Sequence, residues 1–223
     1  MAQAWQVLDR VATPEGPLEL RQRGERDFLI LVGGRVLMSS VAFRSELAVA
    51  ELACRPVAQR PRPRVLIGGL GMGYTLRAAL DALPPDAEVT TAELNPQVVA
   101  WCEGPLRALT ANALGDARSR LHLGDVAALI AARPAAWDAV VLDLYEGPHQ
   151  ATQGPEDPCY GPMALRRTRQ ALKPGGVFAV WAEDLDPGFV RRLAANGFAA
   201  EVHHPGKGGR RHTVYLARPA GQN

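Results

Sequence analysis

The sequence predicts an α/β fold: a doubly wound, mostly parallel sheet with an antiparallel C-terminal hairpin, preceded by a small N-terminal β domain. Three observations predict it. From Arg64 onward, short apolar runs of strand length alternate with segments of helical period. Before that, four β-rich runs separated by glycines fill the first 40 residues. At the end, Phe198 to His203 and His212 to Ala217 follow one another with only the Gly-rich loop Pro205 to Gly209 between them, which suits an antiparallel pair.

The N-terminal runs are Trp5 to Val11, Leu18 to Arg21, Phe28 to Val32 and Arg35 to Met38. Gly33-Gly34 between two of them is a two-residue hairpin signal. Residues 1–44 are expected to form this small sheet, which would cover a cleft or pair subunits. Residues 45–223 are expected to form the ligand-binding unit. Ser45 is a candidate N-cap for a helix running to Cys54. Glu46, in its first turn, complements the helix dipole or faces a ligand. Gln59 to Pro63 is a proline-broken linker.

The chain is organised around Arg64 to Pro96. Val65-Leu66-Ile67 leads into Gly68, Gly69, Gly71 and Gly73. A helix follows over Thr75 to Leu83, then a strand, Glu88 to Ala92, and then Glu93. This is a βαβ nucleotide-binding unit. Glycines let backbone N–H groups approach a ligand, and the carboxylate of Glu93 can accept both ribose hydroxyls. Leu76 stands where the third glycine of a dinucleotide fingerprint would fall. A nucleoside without a pyrophosphate is therefore expected, S-adenosylmethionine or a relative.

A helix is expected from Pro96 and a short strand at Leu121 to Leu123. Asp125 follows that strand at the head of the helix Val126 to Ala132, placed to meet an adenine amino group or simply to cap the helix. Ala136 to Leu142 is the most apolar strand, as a parallel strand buried on both faces should be. It ends in Asp143 and Glu146, carboxylates that could, with the Tyr145 hydroxyl, orient an acceptor and take its proton. His149 to Tyr160 lacks periodicity and is a candidate gate. A helix over Pro162 to Leu172, a strand over Val177 to Trp181 and a helix over Phe189 to Ala195 complete the alternation.

Composition narrows the function classes. The 223 residues are 47% hydrophobic and 22% charged, with a formal net charge of +2, which makes no electrostatic case for nucleic acid or membrane. No apolar run reaches the ~20 residues that span a bilayer, and the first residues lack the pattern of a secretory signal. Cys54, Cys102 and Cys159 have no metal-ligand spacing and read as reduced thiols. His203, His204 and His212 gain no metal-site spacing either, so no metal is expected. A cytoplasmic setting is expected.

The pattern VLIGGLGMG, AELNP, LGDV, WDAVVLDL and LKPGGVFAVW resembles the class I S-adenosylmethionine-dependent transferases, and most closely the spermidine synthase family. The resemblance covers roughly residues 17 to 182. It implies Glu93 as ribose ligand, Asp125 as adenine contact and Asp143 as the first, catalytic acid of the family's D-x-x-D-P segment, with Glu146 in place of the second. The family's glycine turn carries an acid for the aminopropyl amine; here the turn has none. The resulting expectation is a transferase with a sulfonium nucleoside donor and a small acceptor, an amine, in a homodimer. Methyl transfer from S-adenosylmethionine is the first expectation. Aminopropyl transfer from decarboxylated S-adenosylmethionine is the alternative, and a non-catalytic relative the third.

Overall fold

In a computed structural model, residues 3–205 and 212–221 are described. The glycine-rich loop expected between the last two strands lies outside them from position 206. Strands β1 (Gln6–Thr13), β2 (Gly16–Arg23), β3 (Asp27–Val32) and β4 (Arg35–Ser39) form an antiparallel sheet in chain order. Gly33 and Gly34 make the β3–β4 turn with φ of 54° and 82°, the positive pair that a tight hairpin demands.

Helix α1 (Arg44–Cys54) then leads into β5 (Arg64–Gly68), α2 (Tyr74–Ala82), β6 (Glu88–Glu93), α3 (Pro96–Glu103), β7 (Ser119–Leu123), α4 (Val126–Ala132) and β8 (Trp137–Leu142). The chain continues through α5 (Pro162–Ala171), β9 (Leu172–Ala182), α6 (Pro187–Ala195), β10 (Phe198–His203) and β11 (Thr213–Pro219). The seven-stranded sheet has the order β10-β11-β9-β8-β5-β6-β7, in which β9, β8, β5, β6 and β7 run parallel to one another and β11 is antiparallel to both β9 and β10. This is the predicted fold class. Ser45 is not the cap of α1: Phe43 holds that position without a side-chain bond, and the Ser45 hydroxyl donates to the carboxyl of Glu46 instead.

The alternation of side chains along a strand divides the core in two. Val65, Ile67, Ala139, Val141, Val177 and Ala179 face α1, α2 and α3. Leu66, Val140, Leu142, Phe178 and Val180 face α4, α5 and α6. All eleven are fully buried, and burial of a valine, leucine or phenylalanine side chain is worth about 1.5–3 kcal/mol.

The N-terminal sheet shares the first of these clusters, through Leu18, Leu20, Phe28, Ile30 and Val32 beside Val49 and Ala53 of α1. A bulge at Leu8 re-aims β1. Beside it, Asp9 accepts from the Trp101 indole N–H at 2.8 Å and from the Gln97 amide, tying β1 to α3.

At the far end of β8, Asp138 is 2% exposed. It accepts from Arg60 (2.9 Å), Lys173 (2.6 Å) and the Arg64 backbone N–H (2.8 Å). This clamp fastens the linker and the start of β9 to the central strands.

Candidate active site

After β5 the chain passes to β6 on one side, and it returns to β8 on the other. The divergence opens a crevice at the C-terminal tips of β5 and β8. Asp143 follows β8 there, its N–H donating to Gly68 O at 2.9 Å. Gly69, with φ of +92°, lies so near that a Cβ would sit 2.3 Å from the Asp143 carbonyl oxygen. A glycine is required because the two strand tips touch. At Gly71 a Cβ would meet Met38 Sδ at 2.8 Å, and the Met72 N–H donates to the same sulfur at 3.1 Å. The end of β4 thus rests directly on the glycine turn, a contact spanning 34 residues that the sequence does not disclose.

Glu93, at the tip of β6, is partly buried. Its carboxylate accepts the backbone N–H groups of Leu70 (2.9 Å) and Asn95 (2.8 Å), which fixes it against the glycine turn with lone pairs to spare. Asp125 is exposed and caps α4, accepting the Ala127 N–H at 2.8 Å. The predicted cap role is thus present in the structure. The segment before α5 approaches it: the Cys159 thiol is pushed up to about 12, first by burial and then by the charges of Asp157 and Asp125.

Beneath the glycine turn, Asp143 meets residues from two helices. Burial, and secondly the charge of Glu46, push its carboxyl up to about 7, against the donated hydroxyl of Thr75. Glu46 is 7% exposed, and burial likewise raises its carboxyl; Ser45 donates to it at 2.6 Å. Tyr74 stacks on Phe43 at 4.3 Å and donates to Ser40 O at 3.2 Å. Among the described residues, neither Glu46 nor Asp143 forms an ion pair.

Tyr145 and Glu146 are placed elsewhere. Glu146, at a φ of 60°, turns its carboxylate to Arg35 of β4 and to His149 Nε2 at 3.2 Å. The Arg35 guanidinium lies 5.2 Å from the Tyr145 ring centre. Glu146, His149, Glu183, Asp184 and Asp186 line an adjoining cavity of about 550 Å³. The structure therefore separates two acids that the sequence puts together: Asp143 keeps company with Glu46 and Glu146 with Arg35. The expected gating segment contains a 3₁₀ turn at Gln150–Gln153. It ends in buried Tyr160, which packs edge-on against Phe189 at 5.8 Å. Among the described residues no group of three or more His, Cys, Asp or Glu is arranged to hold a metal ion. Among the described residues no helix is long and apolar enough to cross a membrane.

No protein-family model matches the chain. It is 34% identical over 120 residues to a polyamine aminopropyltransferase of Nitrosomonas europaea, covering 54% of this chain and 35% of that protein. It is 30% identical over 153 residues to polyamine aminopropyltransferase 2 of Pseudomonas aeruginosa, covering 66% of this chain and 42% of that one. The matches thus span well under half the length of these relatives. Among solved structures, the spermidine synthase of Thermotoga maritima superposes with a TM-score of 0.74 at 18% identity, over 98% of this chain and 74% of its own. A spermidine synthase in complex with the transition state analogue AdoDATO gives 0.73, also at 18%, over 98% and 73%. The fold is that of the spermidine synthases.

Proposed function

We propose that the chain is an aminopropyltransferase, moving the aminopropyl group of decarboxylated S-adenosylmethionine to a small amine. The observation that carries this reading is Asp143: a raised carboxyl at the tip of β8, against the glycine turn, with no ion-pair partner among the described residues. In this reading Glu93 holds the ribose, Asp125 meets the adenine, and Gly68, Gly69, Gly71 and Gly73 admit the donor to the turn. An amine must be neutral to attack carbon. A carboxyl that titrates near 7 is suited to take its proton as the N–C bond forms and the C–S bond breaks, leaving methylthioadenosine. Otherwise the reaction needs mainly positioning and exclusion of water. Glu146, Tyr145 and the acidic cavity beyond them form the approach for a polycationic acceptor. A homodimer formed through the N-terminal sheet belongs to the same reading; light scattering tests it.

Methyl transfer, the first expectation from the sequence, is set aside because the relatives are named for aminopropyl transfer. Incubation with decarboxylated S-adenosylmethionine and putrescine should yield methylthioadenosine. S-adenosylhomocysteine from S-adenosylmethionine would reinstate methyl transfer. Nucleoside binding with neither product would mark a non-catalytic relative. Asp143→Asn should lower turnover at least ~100-fold, the scale of lost proton-transfer catalysis, while methylthioadenosine affinity stays within about threefold.

A further inference from the structure

We propose that His212 carries the reaction's proton out of the crevice, receiving it from Asp143 by way of Glu46. This rests on the transferase reading above and assigns the exit of the proton to a residue at the head of β11.

The reaction has a proton to lose. A primary ammonium enters and a secondary ammonium leaves. The N–C bond forms, the C–S bond breaks with its electron pair left on sulfur, and one proton is released in each turnover. Asp143, which takes that proton beneath the glycine turn, must shed it before it can act again.

The strand register lays out the route. Leu142 of β8 pairs with Val180 of β9, and Trp181 of β9 pairs with Val214 of β11. One residue beyond the first pair, Asp143 and Trp181 stand side by side at the strand tips. Side chains alternate along a strand, so both share the face of Val141 and Ala179, which α1 covers. His212, two residues before Val214, joins them there. Its ring stacks on the Trp181 indole, with centres 5.0 Å and planes 29° apart. Glu46 of α1 acts on both ends of this row. After burial, its charge is the second cause of the raised Asp143 carboxyl. Burial raises Glu46 as well, and the charge of His212 is among the forces that draw it back.

An independent feature points the same way. His212 Nδ1 is buried and has no hydrogen-bond partner among the described residues, although the residue as a whole is only partly buried. Trp181 Nε1, in the ring stacked on it, is a second buried nitrogen without a partner. A water held by these two nitrogens and the Glu46 carboxylate would complete the route. An imidazole can take a proton on one nitrogen and give it up from the other. The other titratable neighbours are engaged elsewhere. Tyr74 of α2 is pushed up to about 12 by burial and by Glu46, and its hydroxyl donates to Ser40 O. Tyr160, raised by burial, belongs to the apolar cluster on the opposite face of the sheet. His204, after β10, meets the Thr213 hydroxyl at 3.5 Å.

His212→Phe keeps a ring on Trp181 and removes the proton carrier. With decarboxylated S-adenosylmethionine and putrescine it should lower kcat about 10- to 100-fold, while the KM for putrescine and the affinity for methylthioadenosine stay within about threefold. Added imidazole should speed His212→Ala about tenfold and leave wild type and Asp143→Asn unchanged. Wild-type protein gives a test that needs no variant. In a single turnover followed with a pH-indicator dye, the proton should appear as methylthioadenosine forms, before the nucleoside dissociates. Release only on dissociation overturns the inference. So does an unchanged kcat in His212→Phe, a loss of methylthioadenosine affinity that matches the loss of kcat, or a His212→Ala enzyme that imidazole does not speed. Wild-type protein that forms no methylthioadenosine at all overturns the transferase reading itself, and the inference with it.

Discussion

Asp143 and Asp138 stand at opposite ends of one strand and respond to pH with opposite sign. Asp143 is raised to about 7, by burial first and Glu46 second, so folding favours its protonated form. That stabilisation is complete below the ordinary carboxylate range and is lost as pH rises through about 7. The ligand-free protein should therefore lose melting temperature between about pH 5 and 8, and Asp143→Asn should flatten that slope in a fluorimetric melt.

Burial acts to raise Asp138 as well, but bonds from Lys173, Arg64 and Arg60 outweigh it and hold the carboxyl low. Its contribution is present above the ordinary range and fades as acid approaches. Asp138→Ala strands those donors and should lower stability by about 3 kcal/mol in urea unfolding, on the scale of a broken buried pair. Asp143 was legible because chemistry in a parallel sheet gathers at strand tips. Glu46 was legible as a first-turn acid that complements the helix dipole or faces a ligand, but nothing local says that α1 delivers it to a tip nearly 100 residues away.

At the scale of elements, apolar periodicity and glycine placement located the strands and helices, because each is a local pattern. The glycine turn was recognised for ligand approach, yet two of its glycines answer to the protein itself, Gly69 to the Asp143 carbonyl and Gly71 to Met38. Gly69→Ala combines a collision at 2.3 Å with an unfavourable φ and should cost about 2–3 kcal/mol, measured by chemical denaturation, together with loss of nucleoside binding. Leu172 is expected to end a helix and Lys173 to Gly176 has the composition of a turn, yet all of them join β9, because Leu172 pairs with Trp137 across an irregular register that accommodates the Pro-Gly-Gly run. Glu146 followed the D-x-x-D-like spacing on paper. In space, the turn at Tyr145 to Gly147 swings it toward β4.

For the molecule as a whole, the sequence divides at residue 44 by composition, whereas the first apolar cluster runs through that point without interruption. Leu20, Ile30 and Val49 belong to one packed mass, and Asp9 adds a polar rivet on α3. The two regions should consequently melt as one cooperative unit: a single calorimetric peak whose van't Hoff and calorimetric enthalpies agree. Two resolved peaks would separate them. A fragment beginning at α1 would carry a greasy wound where the small sheet had lain, and would be expected to collect in the insoluble fraction. Any shift of that sheet also drags Met38 and Arg35, so opening the crevice and loosening the core are the same mechanical event.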